Sequence, residues 1–183
     1  IVTLAHGVLK GLARVESVSG DDVLFIEEED PARGVDRIRE ACLHDLPSRY
    51  GLDPFRDIQI LVPTNKGACG TIEVNRMIQE ARKVEGARAV WGDSAFCRGD
   101  RVMQIRNDYD RELYNGDFGA VIDVIENPSG RPTVVCEFDG KTQNYSGKEL
   151  SDLLPAWAIT VHKSQGGEFK AVVLAVYPHH FML

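Results

Sequence analysis

Ten consecutive residues near the carboxyl end hold the densest set of reactive and ligand-binding groups in the chain: Thr160, Val161, His162, Lys163, Ser164, Gln165, Gly166, Gly167, Glu168 and Phe169. They offer hydroxyls on Thr160 and Ser164, a cation on Lys163, a titratable ring on His162, free backbone N–H groups at Gly166 and Gly167, and a carboxylate on Glu168. Hydroxyl, imidazole and backbone N–H donors suit phosphate oxygens, and a carboxylate suits sugar hydroxyls. The stretch lies between two apolar runs, which predicts a loop joining two buried elements, the usual place for a site on a rigid scaffold. A solvated turn is the competing reading. A second loop, at 64–70, presents Asn65 and Lys66 after the apolar run 58–62. Ligands bind at the carboxyl ends of strands in α/β sheets, so these two side chains are candidates for a phosphate, with simple solvation as the alternative.

Other combinations carry less. His179 and His180 have no acidic or cysteine partner at ligand spacing, so no metal is expected. His162 and Ser164 lack a third orienting group and a G-x-S-x-G elbow, which argues against a hydrolase. Four cysteines, Cys42, Cys69, Cys97 and Cys136, form no C-x-x-C pair. Neither a zinc ribbon nor a disulfide framework follows, and reduced thiols fit a cytoplasmic protein. With 21 basic and 28 acidic residues the formal charge is -7. That balance argues against holding nucleic acid by bulk positive field and leaves only a local site. Asp21, Asp22 and the acidic run 27–30 read as a solvated edge without a function. Arg101, Arg106, Arg111 and Tyr114 would make a basic, aromatic rim for a single strand, but Asp100, Asp108, Asp110, Glu112 and Asp117 offset them. A solvated hairpin is the expectation there. The longest apolar stretch, 171–177, is strand-length, far short of the ~18 residues of a membrane span.

The elements that must position these loops follow from periodicity. Val35, Ile38, Cys42 and Leu46 recur at helical spacing over 32–46, and Pro47 is expected to end that helix. The run 58–62, closed by Pro63, predicts a parallel strand buried on both faces. Val74, Met77, Ile78 and Ala81 predict a helix through Glu85. The period then becomes two over 101–106, 118–125, 133–138 and 141–145, with turn signals at Asn115-Gly116, 127–130 and Asp139-Gly140. Four such strands form an antiparallel meander that must close or pack, and a small barrel is the economical solution. Residues 148–154 read as a helical turn ended by Pro155, and α/β-type strands return at 157–161 and 171–176. The expectation is an α/β domain interrupted by an inserted barrel, with boundaries near Gly92 and Ser151.

The order of residues narrows this further. A-W-A-I-T-V-H-K-S-Q-G-G-E-F followed by A-V-V-L closely resembles motif V of the RecD-like superfamily 1 DNA helicases. G-D-R-V-M-Q-I-R-N-D-Y-D-R-E-L-Y-N-G-D-F-G resembles the start of the SH3-like barrel inserted in that family's second RecA-like motor domain, and I-Q-I-L-V-P-T-N-K-G-A-C-G-T-I-E-V-N-R-M-I-Q resembles the strand, loop and helix before it. Residues 1–11 weakly resemble the helix that opens that domain. The resemblance implies a RecA-like domain of P-loop NTPase type, divided as 1–92, an SH3-like barrel at 93–150, and a return at 151–183. It implies an ATP-dependent 5′ to 3′ DNA helicase, of the exodeoxyribonuclease V alpha-subunit type. Single-stranded DNA, an N-terminal motor domain and other nuclease-helicase subunits would be its partners, and ATP with Mg2+ its cofactors. By match to motif V, Thr160, His162, Lys163 and Ser164 would face the DNA, with Asn65 and Lys66 beside them. Gly166, Gly167 and Glu168 would approach the nucleotide.

The sequence also departs from the pattern. It holds no G-x-x-x-x-G-K-[ST] and no strand-ending aspartate-glutamate pair, and it ends before an arginine-bearing motif VI. It opens without a methionine and reads as a piece of a longer protein, so no catalytic residue is expected in it and no ATP hydrolysis by it alone. Gly167 stands where serine is common in the family, and Trp157 where tyrosine is common. The alternative function is a stand-alone β-barrel module that binds a protein or nucleic acid without motor activity.

Overall fold

The computed structural model describes residues 6, 7, 9–11, 22–128 and 130–177. Most of the segment resembling the opening helix, together with Asp21 and the His179-His180 pair, lies outside the described residues. The elements run in chain order as α1 (Pro31–Glu40), α2 (Leu46–Tyr50), β1 (Ile58–Val62), α3 (Thr71–Arg82), β2 (Arg88–Trp91), β3 (Ser94–Cys97), β4 (Arg101–Gln104), β5 (Phe118–Ile125), β6 (Thr133–Phe138), β7 (Lys141–Ser146), β8 (Leu153–Pro155), β9 (Ala158–Thr160) and β10 (Ala171–Leu174). Among the described residues no helix is long and apolar enough to cross a membrane.

Asp30 starts α1 by accepting the Ala32 N–H at 2.9 Å, and Pro31 occupies the first turn, where its missing N–H costs nothing. The helix does not end at Pro47. It passes through a wide π turn, Ala41–Asp45, in which the Leu46 N–H reaches Ala41 O, and continues as α2 to Gly51, which adopts φ 65. A proline cannot donate to the carbonyl four residues back and its ring crowds it, so the widened turn just before Pro47 relieves the conflict.

The parallel sheet has the order β10-β1-β9. Ile58 sits opposite Ala171 and Val62 opposite Thr160, so β1 is the middle strand, as its continuous burial requires. Side chains alternate along it. Ile58, Ile60 and Val62 join Ile38, Cys42, Val74, Met77 and Ile78 under the helices, while Gln59 and Leu61 face the other way.

That other face meets a five-stranded antiparallel sheet of order β7-β6-β5-β4-β8. Its core contains Val102, Val121, Val134, Phe138, Tyr145 and Leu153, together with Ala89 and Phe96 from the β2–β3 ribbon. The meander forms as its period predicts, with three differences. The β2–β3 ribbon is additional. Residues 153–155 are not part of a helical turn: a 3-10 segment, Gly147–Asp152, precedes them and they pair with β4, Pro155 opposite Val102 at the sheet edge where a missing donor is tolerated. Asn115-Gly116 does not join two strands directly. β4 and β5 are linked by residues 105–117, which carry their own Asp108–Leu113 bridge and a turn closed by the Asp117 N–H on Tyr114 O. β structure therefore runs from Arg88 to Pro155, past both expected boundaries.

Candidate nucleic-acid and nucleotide interface

Because β1 and β9 are parallel neighbours in register, their carboxyl ends lie side by side, and the loops that follow them share one edge of the sheet. This brings Asn65 and Lys66 to the same edge as Thr160, His162, Lys163 and Ser164. The 64–70 loop is held tightly. Thr71 and Ile72 donate their N–H groups to Thr64 O and Asn65 O, and the Thr71 hydroxyl donates to Asn65 Oδ1 at 3.1 Å. The first N–H groups of α3 are thus spent inside the loop, and Lys66 stands exposed with no ion pair among the described residues.

The second loop begins with the 3-10 turn Val161–Ser164, in which the Ser164 hydroxyl donates to Val161 O at 2.8 Å. Thr160, at the end of β9, is only 8% exposed, and its hydroxyl has no hydrogen-bond partner among the described residues. A buried polar group left in that state is a place where a ligand atom restores the lost bond. His162 is exposed, and the side chains of His162, Lys163 and Glu168 form no hydrogen bond or ion pair among the described residues. Gly167 is not a free donor: its N–H reaches Ser164 O at 3.0 Å. Gly166 takes φ 82, which lets the chain reverse after the 3-10 turn.

The structure separates the candidate residues into two groups. Residues 160–164 stay at the carboxyl edge. Gly166, Gly167 and Glu168 lie on the limb running back to the start of β10, where Ala171 N–H meets Asp57 O at 3.1 Å and Lys170 Nζ pairs with Asp57 Oδ2 at 2.9 Å.

A polar seam between the amino ends of β1 and β9 and the insert was not legible in the sequence. Asp100, fully buried, accepts from Arg82 Nη1 at 2.6 Å, Gln79 Nε2 at 2.6 Å, the Cys97 N–H at 2.7 Å and Trp157 Nε1 at 3.4 Å. Burial pushes its carboxyl above the usual range, opposed by those donors. Gly99 permits the approach, since a Cβ there would run into the Arg82 guanidinium. Arg101 donates to Ile58 O at 3.0 Å and Gln59 Oε1 at 2.8 Å, with its guanidinium over the Trp157 and Phe118 rings. Neither Asp100 nor Arg101 belongs to a solvated rim. Arg111 is likewise turned inward, onto Glu149 and the Tyr145 ring. The signal available in the sequence was Gly99-Asp100 directly before an alternating strand, which marks a tight entry and says nothing of burial.

No group of three or more His, Cys, Asp or Glu able to hold a metal occurs among the described residues. The four cysteines are free thiols, and burial pushes Cys42 and Cys136 up to about 12.

A parallel α/β sheet with loops gathered at its carboxyl edge and an antiparallel insert on one face is a fold shared with helicase RecA-like domains. A crystal structure of the Pif1 helicase from Bacteroides in complex with ADP-AlF3 and ssDNA shares this fold at a TM-score of 0.54, with 15% identity, covering 98% of this chain and 44% of that one. Residues 74–138 match the ATP-dependent RecD-like DNA helicase SH3 domain, and residues 155–183 match the UvrD-like helicase C-terminal domain. The ATP-dependent RecD2 DNA helicase of Deinococcus radiodurans is 31% identical over 182 residues, 98% of this chain and 23% of that protein. The RecBCD enzyme subunit RecD of Mycobacterium tuberculosis is 28% identical over 165 residues, 85% of this chain and 28% of that protein. The chain is similar to RecD-like helicases along nearly its whole length, and it spans about a quarter of the length of these curated relatives.

Proposed function

We propose that this chain is the second RecA-like motor domain of an ATP-dependent 5′ to 3′ DNA helicase, carrying an SH3-like barrel. The observation that carries the reading is the register of β9 on β1, which sets two polar loops side by side at one sheet edge. Thr160, His162, Lys163 and Ser164, with Asn65 and Lys66, bind the backbone of single-stranded DNA. The exposed Lys66, the half-buried Lys163 without an ion pair and the unpartnered Thr160 hydroxyl support this, despite the net charge of -7. Gly166, Gly167 and Glu168 face the nucleotide in a cleft completed by an N-terminal motor domain. The exposed Glu168 carboxylate suits ribose hydroxyls. ATP with magnesium serves the full-length protein, and the protein ligands of the ion are expected on the P-loop domain. The division is 1–92, 93–150 and 151–183, with the core of the insert reaching out to Ala89 and Leu153. The protein works in the cytoplasm, with single-stranded DNA and other subunits of a nuclease-helicase as partners.

In the full-length protein His162→Ala is expected to weaken nucleotide-free DNA binding by roughly one to two decades, the loss of one hydrogen bond to a charged phosphate. Glu168→Ala is expected to raise the KM for ATP and leave nucleotide-free DNA binding intact. DNA affinity, ATP KM and melting temperature measured for both variants check this, and equal effects of the two on both ligands would sink the two-sided loop.

A further inference from the structure

The limb 165–169 has little of its own to hold it in place. Its ends are fixed, by the Val161–Ser164 turn on one side and by Asp57 with Lys170 and Ala171 on the other. Between them, the hydrogen bond from Gly167 N–H to Ser164 O is the only one among the described residues. What remains is Phe169. Its ring packs edge-on against Phe118, with centroids 6.0 Å apart at 83°, in a cluster with Met103, Ile105, Leu61 and Ile159. The Phe169 ring also lies directly under Gly167, where a Cβ would sit 2.9 Å from Cζ. Phe118 opens β5, opposite Met103 of β4, so the insert supplies the aromatic partner of Phe169, beside Leu61 and Ile159 of the α/β sheet.

We propose that Phe118 is a positioning residue: through Phe169 the inserted sheet sets the place of Gly166, Gly167 and Glu168, and a shift of the insert is felt at those residues. Docking of the insert does not depend on Phe118. Arg101 holds Ile58 O and Gln59, Asp100 holds Arg82 of α3, and β8 runs through two residues into β9. Loss of the Phe118 ring therefore frees the limb while the seam stays closed. The consequence for nucleotide rests on the functional reading above, whereas the positioning itself does not.

The test begins with backbone amide exchange on this chain. Phe118→Ala is expected to speed exchange at the Gly167 amide, the hydrogen-bonded one of the limb 165–169, about tenfold, the worth of a well-placed aromatic pair. The amides between β5 and β6 should stay protected, Phe169→Ala should give the same result, and Phe118→Leu should restore much of the protection. If Phe169→Ala speeds exchange and Phe118→Ala does not, the limb is held without the insert and the proposal falls. Should Phe118→Ala unfold the sheet, Phe118→Leu decides: a partial increase confined to 165–169 supports the proposal, and wild-type exchange overturns it. In the full-length protein, Phe118→Ala should raise the ATP KM about fivefold or more with kcat little changed, a split that general destabilisation does not produce. Faster limb exchange with an unaltered KM would leave the positioning intact and instead remove the nucleotide role of the limb.

Discussion

The two faces of β1 are built from opposite materials. Toward the helices, Ile58, Ile60 and Val62 join an apolar cluster whose non-directional burial holds α1 and α3, with one directional clasp from α3, where Asn75 donates to Ala158 O and accepts the Ala158 N–H, each at 2.9 Å. Toward the insert, one residue away in sequence, Gln59 spans the sheet with bonds to Ala156 O at 3.3 Å and Trp157 O at 3.1 Å while accepting from Arg101. Around it stand Asp100, Arg82, Trp157, Phe118 and Phe169. An apolar face tolerates small slides between its layers, because burial has no preferred direction. A seam of buried, fully partnered polar groups does not, since each donor and acceptor must return to its partner or be left unsatisfied. The helical face supplies stability, and the insert face fixes one orientation of the second sheet relative to the loops of the site.

The largest expected effect tests the seam. Asp100→Ala removes the buried acceptor of four donors, leaves the half-buried Arg82 without its carboxylate and should cost about 3 kcal/mol of unfolding free energy, read as a fall in the urea midpoint. A loss below 1 kcal/mol would mean that the seam closes as well without its charge. Next comes the helical face: Ile60→Ala should cost roughly 3 kcal/mol through the cavity it opens, without altering exchange at the Cys97 amide that Asp100 holds. A change at that amide would show that the two faces are not independent. The smallest effect concerns the end of the limb. The Asp53 N–H and the Lys170 ammonium hold the Asp57 carboxyl down to about 2, from an ordinary value of 3.8. A depressed carboxyl stabilises the fold fully above its ordinary value and loses that contribution as pH falls toward 2. Thermal melts should therefore show a shallower decline between pH 4 and pH 2 for Asp57→Asn than for the wild type.

Much of the molecule was written locally. Period-two alternation gave β4 to β7, the mainly apolar run 58–62 gave β1, and the residue order at 156–169 marked the loop proposed to carry the site. Each of these depends on neighbours within a few positions, and the hydrophobic pattern of a short window reports the face that must be buried. Turn chemistry was less informative: Asn115-Gly116 lies in a turn, but one inside a longer excursion, because hydrogen bonds from Gln104 to residues 116 and 117 set the return of the chain.

The sequence by itself determined the class of fold, the existence of an insert and the identity of the polar loop. Tertiary structure alone decided that Asp100 is buried and Arg101 half-buried and turned inward, that β8 belongs to the insert's sheet, and that Phe169 rests on Phe118. The physical reason is distance along the chain. A charge is buried only where its partners converge, and the partners of Asp100 come from Gln79, Arg82, Cys97 and Trp157, while Arg101 finds its own at Ile58 and Gln59. No window of sequence contains that convergence, which exists only once the parallel sheet and the insert have packed against each other.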